Sequence, residues 1–191
     1  MKRATLRVMH ENTIEDYVRF ENSSPTKHEY VYGSIIAMTG GTINHAALIA
    51  QVIAQLAGAV RGSGCRAFSS ELRIRVDGQE LILYPDATIV CGNARADVQD
   101  QNAVLNPVLI VEVTSPSTEK YDRGKKYGYY QRVPTLREYV VVSHAERLVE
   151  VYRRTDNGTW ALGDKAANGA LRLASINSPL NVDELYAGLQ L

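Results

Sequence analysis

The sequence predicts an α/β fold, a restriction-endonuclease-like mixed β-sheet flanked by helices. Three observations carry the α/β part of that prediction. From Thr42 to Arg61, apolar residues recur at helical spacing through Ile49, Val52, Ile53, Leu56 and Val60, with alanine between them. Arg66 to Val76 alternates as a strand, Leu81 to Val90 reads as another strand, and Val108 to Val113 is a continuous apolar run suited to a buried strand. The elements run helix, strands, long helix, strands, short helix, strands, which is the order of a sheet covered by helices. The 191 residues suffice for one domain spanning 1–191 that buries a core without disulfides or metals.

Taken in order, Thr13 caps a helix from Ile14 to about Glu21, with Asp16 as the reciprocal acid. His28 to Tyr32 and Ile35 to Met38 read as strands around a Gly33-Ser34 turn. Glu29 lies in the first of these, where an acid alone reads as a solvated edge position. The Thr42–Arg61 helix is stopped by Gly62 and Gly64. His45 sits one turn before Ile49 on its inward stripe, the ordinary place for a satisfied core histidine. The 66–76 strand carries Glu71 and leads to an Asp77-Gly78 turn, and the 81–90 strand carries Pro85-Asp86. Cys91 to Asn106 is polar and reads as a surface loop. Tyr121 to Gln131 is a helix ended by Val133-Pro134. Strands follow over Glu138 to Ser143 and Leu148 to Arg153, then a strand or loop at Trp160 and a short helix at Asp183 to Leu189.

Composition excludes some functions. Lys+Arg and Asp+Glu are equal at 21 each, so bulk charge gives no basis for tight non-specific binding to nucleic acid. Cys65 and Cys91 fit no zinc spacing and read as reduced, half-buried thiols. The basic N-terminus lacks the apolar core of a signal peptide, so a cytoplasmic location is expected. Ser34 to Val60 has no Asp, Glu, Lys or Arg. Gly40-Gly41, Asn44, His45, Gln51 and Gln55 interrupt any membrane span of about 20 apolar residues, so a buried helix is expected.

The chemistry centres on Glu112. Alternation places it with Val108, Ile110 and Thr114 on one face of an apolar strand, and an unpaired buried carboxylate costs several kcal/mol. Asp86, in the preceding strand, has a similar setting. Two such acids brought together need a proton or a cation between them, and Mg²⁺ binds through one or two carboxylates and several waters. Lys126, on the helix that follows the Glu112 strand, is placed to return over the strand end; Lys125 and Lys120 are the alternatives. A structural ion pair between Glu112 and that lysine explains the same spacing.

An ordered set of motifs adds to this. His28-Glu29-Tyr30, Gly33, Met38, Gly40-Gly41 and His45 are followed by Tyr84-Pro85-Asp86 and Pro107 through Glu112-Val113. Ser115-Pro116-Ser117-Thr118, Asp122-Arg123, Lys126, Tyr130 and Glu138-Tyr139 complete it. In these features the chain resembles the Uma-two family, bacterial restriction-type endonucleases of the PD-(D/E)XK nuclease superfamily. The resemblance implies that Asp86 and Glu112 bind a divalent metal, Mg²⁺ or Mn²⁺, and that a lysine assists. Thr114 stands where the superfamily pattern has its lysine, so the resemblance implies that Lys126 takes over that role. Tyr32 stands where the family usually has Asp. Glu29 and His45 match family positions and are expected at the site's edge, with Glu71 as a possible extra ligand. The expected function is endonucleolytic hydrolysis of DNA by a metal-activated water, in a homodimer without membrane attachment. The alternative is a catalytically silent module of the same fold, acting as a dimeric nucleic-acid-binding or scaffold protein.

Overall fold

A computed structural model describes residues 12–191; the N-terminal stretch read above for a signal peptide lies, through residue 11, outside the described residues. The fold is mixed α/β as expected, but it has two main sheets where one was expected. The first holds β1 (His28–Val31), β2 (Ser34–Ala37), β4 (Arg73–Arg75), β5 (Leu81–Leu83) and β7 (Ala103–Val104), in the order β2-β1-β5-β4-β7. The second holds β3 (Cys65–Ser69), β6 (Ala87–Cys91), β8 (Pro107–Val113), β9 (Glu138–Val142), β10 (Val149–Arg154) and β11 (Trp160–Ala166), in the order β11-β10-β9-β8-β6-β3. Each contains one parallel pairing, β4 with β7 and β8 with β9. A hairpin of β12 (Ala170–Leu173) and β13 (Ser178–Asn181) forms a small third sheet.

Both long strands expected over 66–76 and 81–90 are divided between the sheets. The 66–76 stretch breaks into β3 and β4, and the 81–90 stretch into β5 and β6. In the second case Pro85 lacks the N–H that a ladder needs, and the chain changes sheets across Tyr84-Pro85-Asp86. The polar 91–106 loop is as expected apart from β7.

Local rules account for the other elements. α1 (Ile14–Ser23) begins with the expected capping box between Thr13 and Asp16. The β1–β2 turn is Tyr32-Gly33 rather than Gly33-Ser34, and both residues have positive φ, 47° and 82°. A two-residue hairpin of this type requires that conformation, and tyrosine adopts it less readily than Asp or Asn does. Cys65 lies directly opposite Cys91 in the β3–β6 ladder, and the two form a disulfide, which corrects the free-thiol reading. Their 26-residue separation conceals that they are cross-strand neighbours.

The core has two sides. α2 (Ile43–Ala59) lays Leu48, Val52 and Leu56 against Ile89, Leu109 and Val111 on one face of the six-stranded sheet. Ile110, Tyr139 and Val141 on the opposite face pack with Ile74 and Leu83 of the five-stranded sheet and with Tyr130. Strand periodicity puts Glu112 on this second face, between the sheets. A continuous helical stretch, residues 119–130, passes nearby: α3 (Glu119–Tyr121), a π-helical turn (Asp122–Lys126) and α4 (Tyr127–Tyr130). α5 (Val182–Leu185) closes the described chain. Among the described residues no helix is long and apolar enough to cross a membrane.

Candidate active site

The β6–β8 register determines where the two acids meet. Ala87 pairs with Val111 and Thr88 with Ile110, so one further step sets Asp86 opposite Glu112. Asp86 is oriented by the Val113 backbone, whose N–H donates to its Oδ2 at 2.7 Å. His45 reaches the same oxygen from the first turn of α2, with Nε2 3.7 Å away. That is ion-pair range, too long for a hydrogen bond. The Asp86 carboxylate holds the imidazole above its ordinary pKa, against the effect of burial.

Gly41 makes room for this histidine. A Cβ on Gly41 would fall 2.0 Å from His45 Nδ1, a contact that only movement of the imidazole can relieve. Gly41→Ala is therefore expected to change stability by less than about 1 kcal/mol while turning His45 away from Asp86. NMR titration should show the His45 midpoint falling toward the free-histidine value of about 6.5. An unshifted midpoint would mean that the pair survives.

Lys126 joins the two sheets. Its Nζ lies 3.0 Å from Glu29 Oε1 on β1 and 3.0 Å from Glu112 Oε1 on β8. Its aligned hydrogen bond goes to the Tyr84 carbonyl, at 2.8 Å. Glu112 Oε1 is fully buried and has no hydrogen-bond partner, so the ammonium meets it as a charge, off the hydrogen-bonding direction. Glu29 is better satisfied, accepting from the Tyr84 N–H at 3.2 Å and the Tyr121 hydroxyl at 2.9 Å. The solvated-edge reading of Glu29 is thereby corrected: it is 5% exposed. Its strand is covered where it passes the helical stretch.

Asp122, quoted above only within a motif, is a fourth acid in this cluster. It is 3% exposed and, like Glu29 and Lys126, lines a cavity of about 300 Å³ beside the cluster. Burial raises its pKa; the Lys126 charge and a Thr118 hydrogen bond oppose this, and the Asp86 and Glu29 charges add to it. The available signal was its position four residues before Lys126, on the same helical face. The π turn carries both residues, and such turns are frequent at functional sites. Glu71 lies elsewhere. It occupies the exposed turn between β3 and β4, paired with Lys27. Thr114 is buried and bonded to His144 Nδ1 at 2.9 Å.

The sequence from residue 14 to residue 175 matches the Uma2 family model, described as "Putative restriction endonuclease". The chain belongs to the Uma2 family. It is 34% identical over 175 residues to the uncharacterized protein slr1290 of Synechocystis sp., covering 92% of this chain and 91% of that one. A second uncharacterized Synechocystis protein, sll1609, is 28% identical over 158 residues, covering 83% and 89%. A crystal structure titled as that of "a putative nuclease belonging to DUF820" from Anabaena variabilis superposes with a TM-score of 0.73. The match covers 92% of this chain and 97% of that one, at 18% identity, which bears on the fold.

The electrostatics of this Uma2 site bear on a metal. Four carboxylates (Glu29, Asp86, Glu112 and Asp122) share one ammonium and one imidazole. Burial drives the Glu112 carboxyl well above its usual range, with Lys126 opposing and the Asp86 charge adding. Burial also acts against the Lys126 ammonium, but Glu112, Glu29, Asp122 and Asp86 outweigh it and hold its pKa well above the lysine value. The cluster has more acid than base, and a proton or a cation relieves the excess. Among the described residues no group of three or more His, Cys, Asp or Glu forms a ready metal cage. A hydrated Mg²⁺ asks only for one or two carboxylates, which Asp86 and Glu112 supply. The donor set fits such an ion.

Proposed function

We propose that this Uma2 protein is a divalent-metal-dependent endonuclease that hydrolyses DNA phosphodiester bonds, as a cytoplasmic homodimer. The observation that supports this most is the reach of Lys126 from a helix to the acid of β8, which makes up for Thr114 in the strand. In this reading Asp86 and Glu112 hold Mg²⁺ or Mn²⁺. The ion, when bound, supplies Lewis acidity to a phosphoryl oxygen and to water. Lys126 stays protonated at neutral pH, so its role is electrostatic: it orients the nucleophile and offsets charge developing on the phosphate. Glu29 and the Tyr84 carbonyl position that ammonium. His45 steadies Asp86 and faces the incoming phosphate. Asp122, with raised proton affinity and a place on the cavity wall, accepts the proton that the attacking water gives up.

Asp86→Asn tests the assignment. The variant should fold normally, weaken Mn²⁺ binding in calorimetric titration by more than about 100-fold, and lose DNA cleavage to a similar degree. Wild-type Mn²⁺ affinity in this variant would end the metal assignment. A silent scaffold remains the second reading, because Lys126 is already engaged by Glu29 and Glu112 as in a structural ion cluster. It requires that no cation bind the wild type, with or without DNA present. Sedimentation velocity measures the homodimer directly.

A further inference from the structure

We propose that the cavity beside the acid–lysine cluster is a nucleobase site, and that the substrate is DNA whose nucleotide next to the scissile phosphate is unpaired. The inference rests on the nuclease reading and narrows it. The cavity, of about 300 Å³, has Glu29, Asp122 and Lys126 in its lining, so an occupant lies against the reacting groups. This volume is at the bottom of the range for small-ligand sites, about 300–1,000 Å³. It is large enough for one base with its sugar.

The walls match a base chemically. Ile36, Ala37 and Met38, at the end of β2, give an apolar wall, and Ser117 and Thr118 add hydroxyls. A base has apolar faces and a hydrogen-bonding edge, and it can meet both at once. Ile36 is 46% exposed, a large apolar side chain left in water beside buried charge. The Thr39 and Ser117 hydroxyls approach to 3.4 Å and bring the two sides of the rim together. β2 is an edge strand, so this wall stands at the margin of the sheet, open to a passing single strand.

The charge balance points the same way. With 21 basic and 21 acidic residues, bulk attraction to phosphate contributes little, so a contact with the base adds affinity that net charge does not supply. An unpaired base supplies such a contact; in a duplex the base is stacked and paired, and withdrawing it costs a few kcal/mol.

Fluorescence anisotropy tests this on the full chain, with Ca²⁺ replacing Mg²⁺ to suppress cleavage. Three labelled probes of about 12 nucleotides are compared: an oligothymidylate strand, its duplex with oligoadenylate, and an abasic strand with the same number of phosphates. The oligothymidylate should bind at least about tenfold more tightly than either of the others. Ile36→Thr should remove most of that preference while leaving the melting temperature and Mn²⁺ affinity unchanged, because the new side chain is neutral, β-branched and on an exposed edge strand. Ala37→Trp, which fills the cavity, should do the same. Equal affinity for the base-bearing and abasic strands would overturn the base site, and continued metal-dependent cleavage would leave the nuclease reading standing. Absence of both binding and cleavage for every DNA would overturn the two together.

Discussion

Lys126→Ala should cost about 3–5 kcal/mol of folding stability, the range for removing one partner of a buried ion pair. The substitution leaves Glu29 and Glu112, 5% and 2% exposed, facing each other's charge without the ammonium 3.0 Å from each. The Tyr84 carbonyl loses its donor as well. Acid should partly rescue the variant. Without the lysine the folded state takes up a proton on Glu112 at higher pH than the unfolded chain does, so stability rises as pH falls. Urea unfolding of wild type and variant at neutral and mildly acidic pH measures both effects. A loss below about 1 kcal/mol, independent of pH, would show that the cluster is hydrated like a surface pair.

Glu112→Gln should act in the opposite direction on stability. The amide keeps the shape and removes a carboxylate that burial disfavours, while Lys126 retains Glu29 and Tyr84 as partners. A gain of about 1–2 kcal/mol at neutral pH is expected, with loss of Mn²⁺ binding and of cleavage by more than about 100-fold. The sign follows from the raised folded-state pKa. That group's contribution is complete below its unfolded value of about 4.3 and declines as pH rises through the folded value. The glutamine variant has no such decline, so its advantage grows with pH across that interval. Urea unfolding at acidic and neutral pH reads the difference, and a destabilised variant at neutral pH would show that Glu112 is needed to hold Lys126. Combining the change with Lys126→Ala gives the coupling between the two side chains. Stabilisation with loss of function would mark Glu112 as kept for chemistry.

The centre of this site was legible because a carboxylate in an apolar strand is a conspicuous physical anomaly. Glu112 announced itself that way, Asp86 came from the preceding strand, and Lys126 from the helix after it. Glu29 and His45 were not legible from the residues alone. An acid near a hairpin and a histidine on a helix stripe each have an ordinary explanation, and only the family resemblance raised them. Asp122 was passed over because it lies in a charged segment that reads as a solvated face. Burial at a π turn has no simple sequence signature. The two sheets were missed for a related reason: Leu81 to Val90 is apolar on both sides of Pro85-Asp86, and an apolar run reports that a strand is buried, not which sheet it joins. Cys65 and Cys91 were misjudged because cross-strand adjacency depends on register between segments distant in sequence.

The cluster takes its members from remote parts of the chain. The hydrogen bond from Tyr121 to Glu29 spans 92 residues, and that from Lys126 to Tyr84 spans 42. Contacts of such separation close late and slowly. A chain emerging from the ribosome presents Glu29, Asp86 and Glu112 before it can present Lys126. On the nuclease reading, the complete constellation therefore exists only in a chain synthesised through Lys126 and folded far enough to join β1, β8 and the helical stretch.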